Sequence, residues 1–356
     1  MKYLFYLGHP AHFHLFKNII NSLKTNNQDT LVVIKSKDVL EDLVKNKGFA
    51  YKNVLSKERK NSKFSIAYSL YKRDVKLFKI CQKEKPDLLL GSAAEISHVG
   101  KILNIPSIIF SEDDVSVIPQ FAKLSYPFVS HILSPKVCNN EKWNFKTVNY
   151  DGYHELAYLH PNKFSPLKSI VNSYIPTDKR YFIIRFSKLN AYHDKGINGI
   201  NDEIAYKLIN ILEKRGNVFL TSERKLPGNF EKYRISINPL DMHHVLAFSQ
   251  IFIGDSQTMA AEAGVLGTPF IRYNNFVGKI GYLNDLENNY KLGFGVNSGD
   301  SEKLFDKVEE LLKMNNSREI FLGRRDLMLR EKIDVLEYFL RFINNYPYRQ
   351  KNRPRC

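Results

Sequence analysis

Short apolar runs alternate with amphipathic stretches along this chain, and the pattern occurs twice. In the first half, YLFYL (3–7), TLVVIK (30–35), DLLLG (87–91), SIIF (107–110) and HILS (131–134) have the length and apolar content of buried strands. Helical periodicity fills the intervals 14–25, 38–47, 66–84 and 94–103. Strand–helix–strand alternation predicts a parallel sheet covered by helices, hence a Rossmann-like domain. Residues 150–178, with their prolines and aromatics, break the rhythm. It restarts with YFIIRF (181–186), a helix over 201–214, NVFLTS (217–222), YRISI (233–237), a helix over 241–248, QIFIGD (250–255), a helix over 256–265 and PFIRY (269–273). The expectation is an α/β protein of two Rossmann-like domains, 1–150 and 179–317, joined by a crossing over 151–178. A last helix near 318–345, within a tail segment 318–356, is expected to pack back on the first domain. The length of 356 residues also exceeds what one core usually supports.

The stretch GDSQTMAAEAGVLGTP (254–269) is polar where a strand–helix join needs nothing polar. Ligands of open parallel sheets bind beyond the carboxyl ends of the strands. A helix starting there offers unpaired N–H groups and a dipole to phosphate. Ser256 can cap that helix and donate to a phosphate oxygen, Gln257 follows it, and Thr258 adds a second hydroxyl. Glu262 comes four residues after Thr258, on the same face and ~6 Å further along the axis. A ribose attached to a diphosphate would present its hydroxyls at about that remove. The segment therefore reads as a holder for a nucleotide diphosphate.

Charge asks for a partner. With 53 Lys and Arg against 37 Asp and Glu, the net charge is +16, which suits nucleic acid, anionic lipid or a phosphorylated substrate. The basic residues cluster in 57–63, 72–85 and 349–355, and no nucleic-acid module accompanies them, which argues against nucleic acid. Over 72–85, Val75, Leu77, Phe78, Ile80 and Cys81 give an otherwise lysine-rich helix one apolar side, so an anionic membrane surface is a candidate partner. Cys81, Cys138 and Cys356 form no CxxC pair, so neither a zinc site nor a disulfide framework is expected. No apolar stretch approaches membrane-spanning length. The opening MKYLFYLG lacks a basic n-region and reads as a first strand. The expected location is cytoplasmic, with peripheral attachment to the inner face of the cell membrane as its extension.

The segment 254–269 resembles the nucleotide-binding segment of UDP-sugar 2-epimerases and GT-B glycosyltransferases, although Gln257 stands where the epimerases tend to have glycine. HPAHFHLFKN (9–18), SYPFVSHILSP (125–135), GYHELAYLHPNKF (152–164), IIRFSKLNAYHDKG (183–196) and SERKLP (222–227) extend the likeness. With them the chain resembles one bacterial and archaeal family of predicted GT-B glycosyltransferases related to UDP-N-acetylglucosamine 2-epimerases. The resemblance implies a GT-B-like fold with both sheets facing a central cleft.

It also implies roles. The loop carrying His9, His12 and His14 would enter the cleft, where His12 is the favoured base for an acceptor hydroxyl, with a structural role at the helix start as the alternative. Glu112 resembles an epimerase carboxylate by position and would orient that imidazole or act as the base itself. Glu95 is a second such candidate. Arg185 would clamp the diphosphate or make a structural ion pair, and His193, oriented by Asp194, would neutralise the leaving UDP. With no DxD-type pair near the diphosphate site, no metal or other cofactor is expected. The leading expectation is transfer of an N-acetylhexosamine-like sugar from a UDP-sugar donor to a surface-glycan or polyprenol-linked acceptor. A UDP-sugar 2-epimerase using Glu95, Glu112 and His193, and a nucleotide-sugar-binding protein without catalysis, are the alternatives.

Overall fold

The computed structural model describes residues 1–37, 39–55, 63–175, 179–187 and 199–346. The first sheet is built by β1 (Lys2–Leu7), α1 (Pro10–Thr25), β2 (Asp29–Lys35), α2 (Leu40–Asn46), β3 (Tyr51–Leu55), α3 (Lys63–Glu84), β4 (Leu88–Gly91), α4 (Ala94–Leu103), β5 (Ser107–Phe110), α5 (Pro119–Ser125), β6 (His131–Pro135) and β7 (Thr147–Tyr150). Two short helices follow, α6 (Leu156–Leu159) and α7 (Lys168–Tyr174). The second sheet is built by β8 (Tyr181–Phe186), α8 (Asp202–Leu212), β9 (Asn217–Ser222), α9 (Met242–Phe248), β10 (Phe252–Gly254), α10 (Gln257–Val265), β11 (Phe270–Tyr273), α11 (Gly281–Asn284) and β12 (Gly293–Val296). Helices α12 (Ser301–Lys313), α13 (Ser317–Glu331) and α14 (Val335–Asn344) close the described chain.

All strand pairs are parallel. The orders are β3-β2-β1-β4-β5-β6-β7 and β12-β11-β10-β8-β9, so the expected pair of parallel α/β sheets is present. Strands covered by helices on both faces are near-continuously apolar, as 3–7 and 88–90 illustrate. Chain direction across the sheet reverses between β1 and β4 in the first sheet and between β8 and β10 in the second. Those are the two crevices where ligands of such sheets settle.

Several stretches depart from the sequence expectation, the unforeseen strands β3, β7 and β12 among them. YRISI forms a single bridge, Arg234 to Leu220, rather than a strand. Its alternating residues are half-buried against edge strand β9, so period two there reports extended chain without a ladder. The last helix is two: α13 ends at Lys332, whose Nζ lies 2.8 Å from Asp151 and 3.2 Å from Asp285. Asp334 then caps α14 by accepting from the Glu337 N–H at 3.0 Å. The expected crossing after β7 begins packed, with residues 152–159 all buried. Helix α14 packs on the first sheet, with the Phe339 ring 5.0 Å from both Phe110 and Tyr150.

Candidate active site

The β1 crevice presents imidazoles whose protons are placed by the backbone. His9 caps α1, its Nδ1 accepting from the Ala11 N–H at 3.2 Å, and Pro10 begins the helix. One turn on, His12 Nδ1 accepts from the Gly8 N–H at 3.1 Å. A neutral ring that accepts at Nδ1 carries its proton on Nε2. Neutrality is secured by burial, with Lys35 and His154 adding to it, which pushes the His12 pKa down to about 3. The His12 side chain is densely surrounded yet still reaches solvent. Burial and Lys37 lower the His9 pKa as well, and Arg185 of the second sheet contributes. In the tautomer that keeps the Gly8 bond, Nε2 carries a proton and not a free lone pair.

Glu112 follows β5, and its Oε2 meets both the backbone N–H of His154 at 3.3 Å and His154 Nδ1 at 3.2 Å. Burial, then the charge of Asp113, raises the Glu112 pKa well above the carboxylate range, while burial lowers that of His154 to about 3. The pair is thus a carboxyl and an imidazole: burial disfavours charge on each, while the His154 backbone N–H works the other way on Glu112. Its side chain stays 16% exposed, so a ligand in the cleft can reach it. Asp114 is a strut instead, accepting from Asn139 at 2.9 Å and, across the cleft, from the Gly281 N–H at 2.7 Å. Glu95 stands apart from this group. It is buried at the start of α4, bonded to the Arg73 guanidinium and to the Tyr6 hydroxyl at 3.0 Å. Burial alone would raise its pKa, but Arg73 overrides that and holds it low. That ion pair holds it in the first sheet's helical layer.

On the second sheet, β10 delivers the polar turn. Asp255 is buried and accepts from the Ser187 N–H at 2.6 Å, which ties the ends of β8 and β10 together. Ser256 caps α10, accepting from the Met259 N–H at 3.4 Å, and Ser256, Gln257 and Thr258 remain half-exposed. Gly264 lets the helix lie flat on the sheet, since a Cβ there would come 2.9 Å from the Phe270 ring. Arg185, at the end of β8, bonds Glu223 at 2.5 Å, and its Nε has no partner. His193 lies outside the described residues.

Glu262 is more committed than a ribose ligand would be. Its Oε1 accepts from the Tyr158 hydroxyl and from His243 Nε2, both at 2.9 Å. The His14 and His243 rings meet at 4.6 Å, and Lys17 Nζ is 3.2 Å from His14 Nδ1. Burial lowers the Lys17 pKa to about 8 against the pull of Glu262. This polar knot joins α1, α6, α9 and α10, and so binds one sheet's layer to the other's. His244 turns outward from it, accepting from the Leu167 N–H at 3.1 Å.

His154, Glu155, Tyr158 and Lys17 are the members that sequence reasoning missed. For His154, Glu155 and Tyr158 the signal was GYHELAYL, in which a His-Glu pair interrupts an otherwise apolar and aromatic run.

Residues 3–281 match the model of a family described as "Protein of unknown function (DUF354)". No curated protein matches the chain. Among solved structures, MnaA of S. aureus with UDP is similar at 13% identity and TM-score 0.69, over 99% of each chain. UDP-GlcNAc 2-epimerase of Methanocaldococcus jannaschii, with UDP-GlcNAc and UDP, is similar at 15% identity and TM-score 0.66, over 92% of this chain and 99% of that one. The spinosyn rhamnosyltransferase SpnG with thymidine diphosphate is similar at 12% and 0.65, over 97% and 100%. At such identities the likeness is one of fold, the GT-B arrangement.

Proposed function

The chain belongs to the DUF354 family, and from that premise we propose that it is a glycosyltransferase that moves a sugar from a UDP-linked donor to a hydroxyl acceptor. The observation that carries the reading is the meeting of two crevices. The open first turn of α10 and Arg185 come from one sheet, and the donors His9 and His12 and the acid Glu112 come from the other.

In an inverting transfer, the acceptor oxygen forms a bond to the anomeric carbon as the bond from that carbon to the diphosphate oxygen breaks. The acceptor proton passes to Glu112 in its carboxylate form, the form that the His154 backbone N–H favours. The charge left on UDP is met by the α10 N–H groups, the Ser256 and Thr258 hydroxyls and Arg185. His12 Nε2–H donates to a sugar or acceptor oxygen. The 2-epimerase reading would draw on Glu95, which here is bound to Arg73 and Tyr6, so transfer is the better-supported chemistry.

A lipid-borne acceptor suits the outer face of the first sheet. Tyr68 and Tyr71 on α3 are 60% and 64% exposed beside exposed Lys72, Lys76, Lys79 and Lys83. No helix among the described residues is long and apolar enough to cross a membrane, so such contact would be peripheral.

Incubation with a panel of UDP-sugars tests the reading. UDP release that needs an added acceptor is the expected result. C2 isomerisation without release, or binding with neither, would overturn it in favour of an epimerase or a non-catalytic binder.

A further inference from the structure

Glu155 takes no part in the transfer just described, yet it lies within electrostatic reach of Glu112, Glu262 and Asp113. It is 0% exposed, and neither of its carboxyl oxygens has a hydrogen-bond partner in another residue. Its surroundings offer an ionised carboxylate little. Glu112 and Asp113 approach from the end of β5 and Glu262 from α10. The phenols of Tyr150, Tyr158 and Tyr282 sense it from β7, α6 and α11. Beside it, His154 Nε2 is also buried without a partner.

Two carboxyls in one buried site carry a single negative charge more readily than two, and the charge settles on the one that accepts hydrogen bonds. Glu112 accepts from the His154 backbone N–H at 3.3 Å and keeps some exposure to solvent, whereas Glu155 is sealed and accepts from no other residue. We propose that Glu155 is a carboxylic acid kept neutral in the buried interior beside Glu112, a positioning residue whose lack of charge lets Glu112 alone carry the carboxylate that takes the acceptor's proton. The proposal rests on the transferase reading for Glu112's role. Glu155 itself is sealed from solvent and touches no substrate.

Stability follows from linkage. Burial and Glu112 raise the folded-state pKa of Glu155 above its ordinary value. The folded protein then binds a proton that the unfolded chain releases. Stability is full below the ordinary carboxyl range and is lost as pH rises through the raised value.

Infrared spectra of the free full-length protein at neutral pH provide the test. The expected result is the carbonyl stretch of a protonated carboxyl that disappears in Glu155→Gln and persists in Glu112→Gln. In melting curves against pH, Glu155→Gln should flatten the wild-type decline. Glu112→Gln should make it shallower, because removing the like charge eases ionisation of Glu155. Glu155→Gln should also keep neutral-pH turnover within a few-fold while its alkaline limb moves to higher pH. A wild-type spectrum without the band, a band that survives Glu155→Gln, or an unaltered pH dependence of melting overturns the proposal. If the band follows Glu155 but no UDP-sugar is turned over, the neutral acid stands and the transferase reading falls. Glu112→Gln supplies the spectral and melting arms even if Glu155→Gln does not fold.

Discussion

At the scale of single residues, one backbone N–H sets the two candidate bases apart. Because Gly8 occupies His12 Nδ1, the imidazole faces a ligand with a proton already on Nε2. Glu112→Gln should therefore lower turnover by roughly 10²–10⁴-fold, the usual share of a general base. His12→Ala should cost only about tenfold, the worth of one hydrogen bond. Steady-state kinetics of the two variants checks this ordering, and the reverse ordering would return the base's role to the imidazole.

Glu262 needs a subtler substitution. Truncation to alanine strands two buried donors, Tyr158 and His243, at about 1–3 kcal/mol each. Glu262→Ala should thus lose stability in chemical denaturation whatever its effect on UDP. Glu262→Gln keeps an acceptor for both donors, so its UDP affinity, measured by calorimetry, isolates the contact with ribose.

Among the elements, α10 and α3 make separable predictions. Ser256→Ala removes the α10 cap and should cost about 0.5–2 kcal/mol of stability, together with weaker UDP binding because a hydroxyl leaves the phosphate turn. Replacing Lys72, Lys76 and Lys79 by glutamate should abolish binding to anionic vesicles without altering UDP affinity, since α3 packs in the first sheet's layer and the phosphate turn belongs to the second. Vesicle binding by the parent protein should fall with salt, as charge is screened over roughly 8 Å at physiological ionic strength. Vesicle sedimentation at low and high salt reads both effects.

These elements were the part most legible in sequence. The β10–α10 unit announced itself because its polar residues occupy positions that packing leaves free, and the strands because buried parallel strands are continuously apolar. The site was legible only in halves. Ser256 could be placed from a local rule, but Glu95 and Glu112 carry the same signal, an acid just past a strand. Only tertiary contacts tell an Arg73 ion pair from a His154-bound acid. The break at Lys332 was masked in the same way, because periodicity continued through it while Asp151 and Asp285, distant in sequence, supplied the reason to stop.

In the whole molecule the two sheets are joined by contacts that leave no room for added atoms. Gly281 donates to Asp114, and a Cβ there would lie 2.1 Å from the Val137 carbonyl oxygen. Gly281→Ala should force the halves apart locally, at a cost of about 1–3 kcal/mol, the range for overpacking. Denaturation midpoints and faster proteolysis of the variant under native conditions would register it, and unchanged values would show that the junction can give.

The seating of α14 on the first sheet has a consequence for biosynthesis. Phe110 and Tyr150 receive Phe339 only after ~190 further residues have been made. At roughly 5–20 residues per second, an apolar face stays uncovered on the nascent chain for about 10–40 s. Residues 1–150 produced alone should accordingly be prone to aggregate, and adding a peptide of residues 333–346 during refolding should rescue part of the material. For this protein the ribosome completes the first domain last.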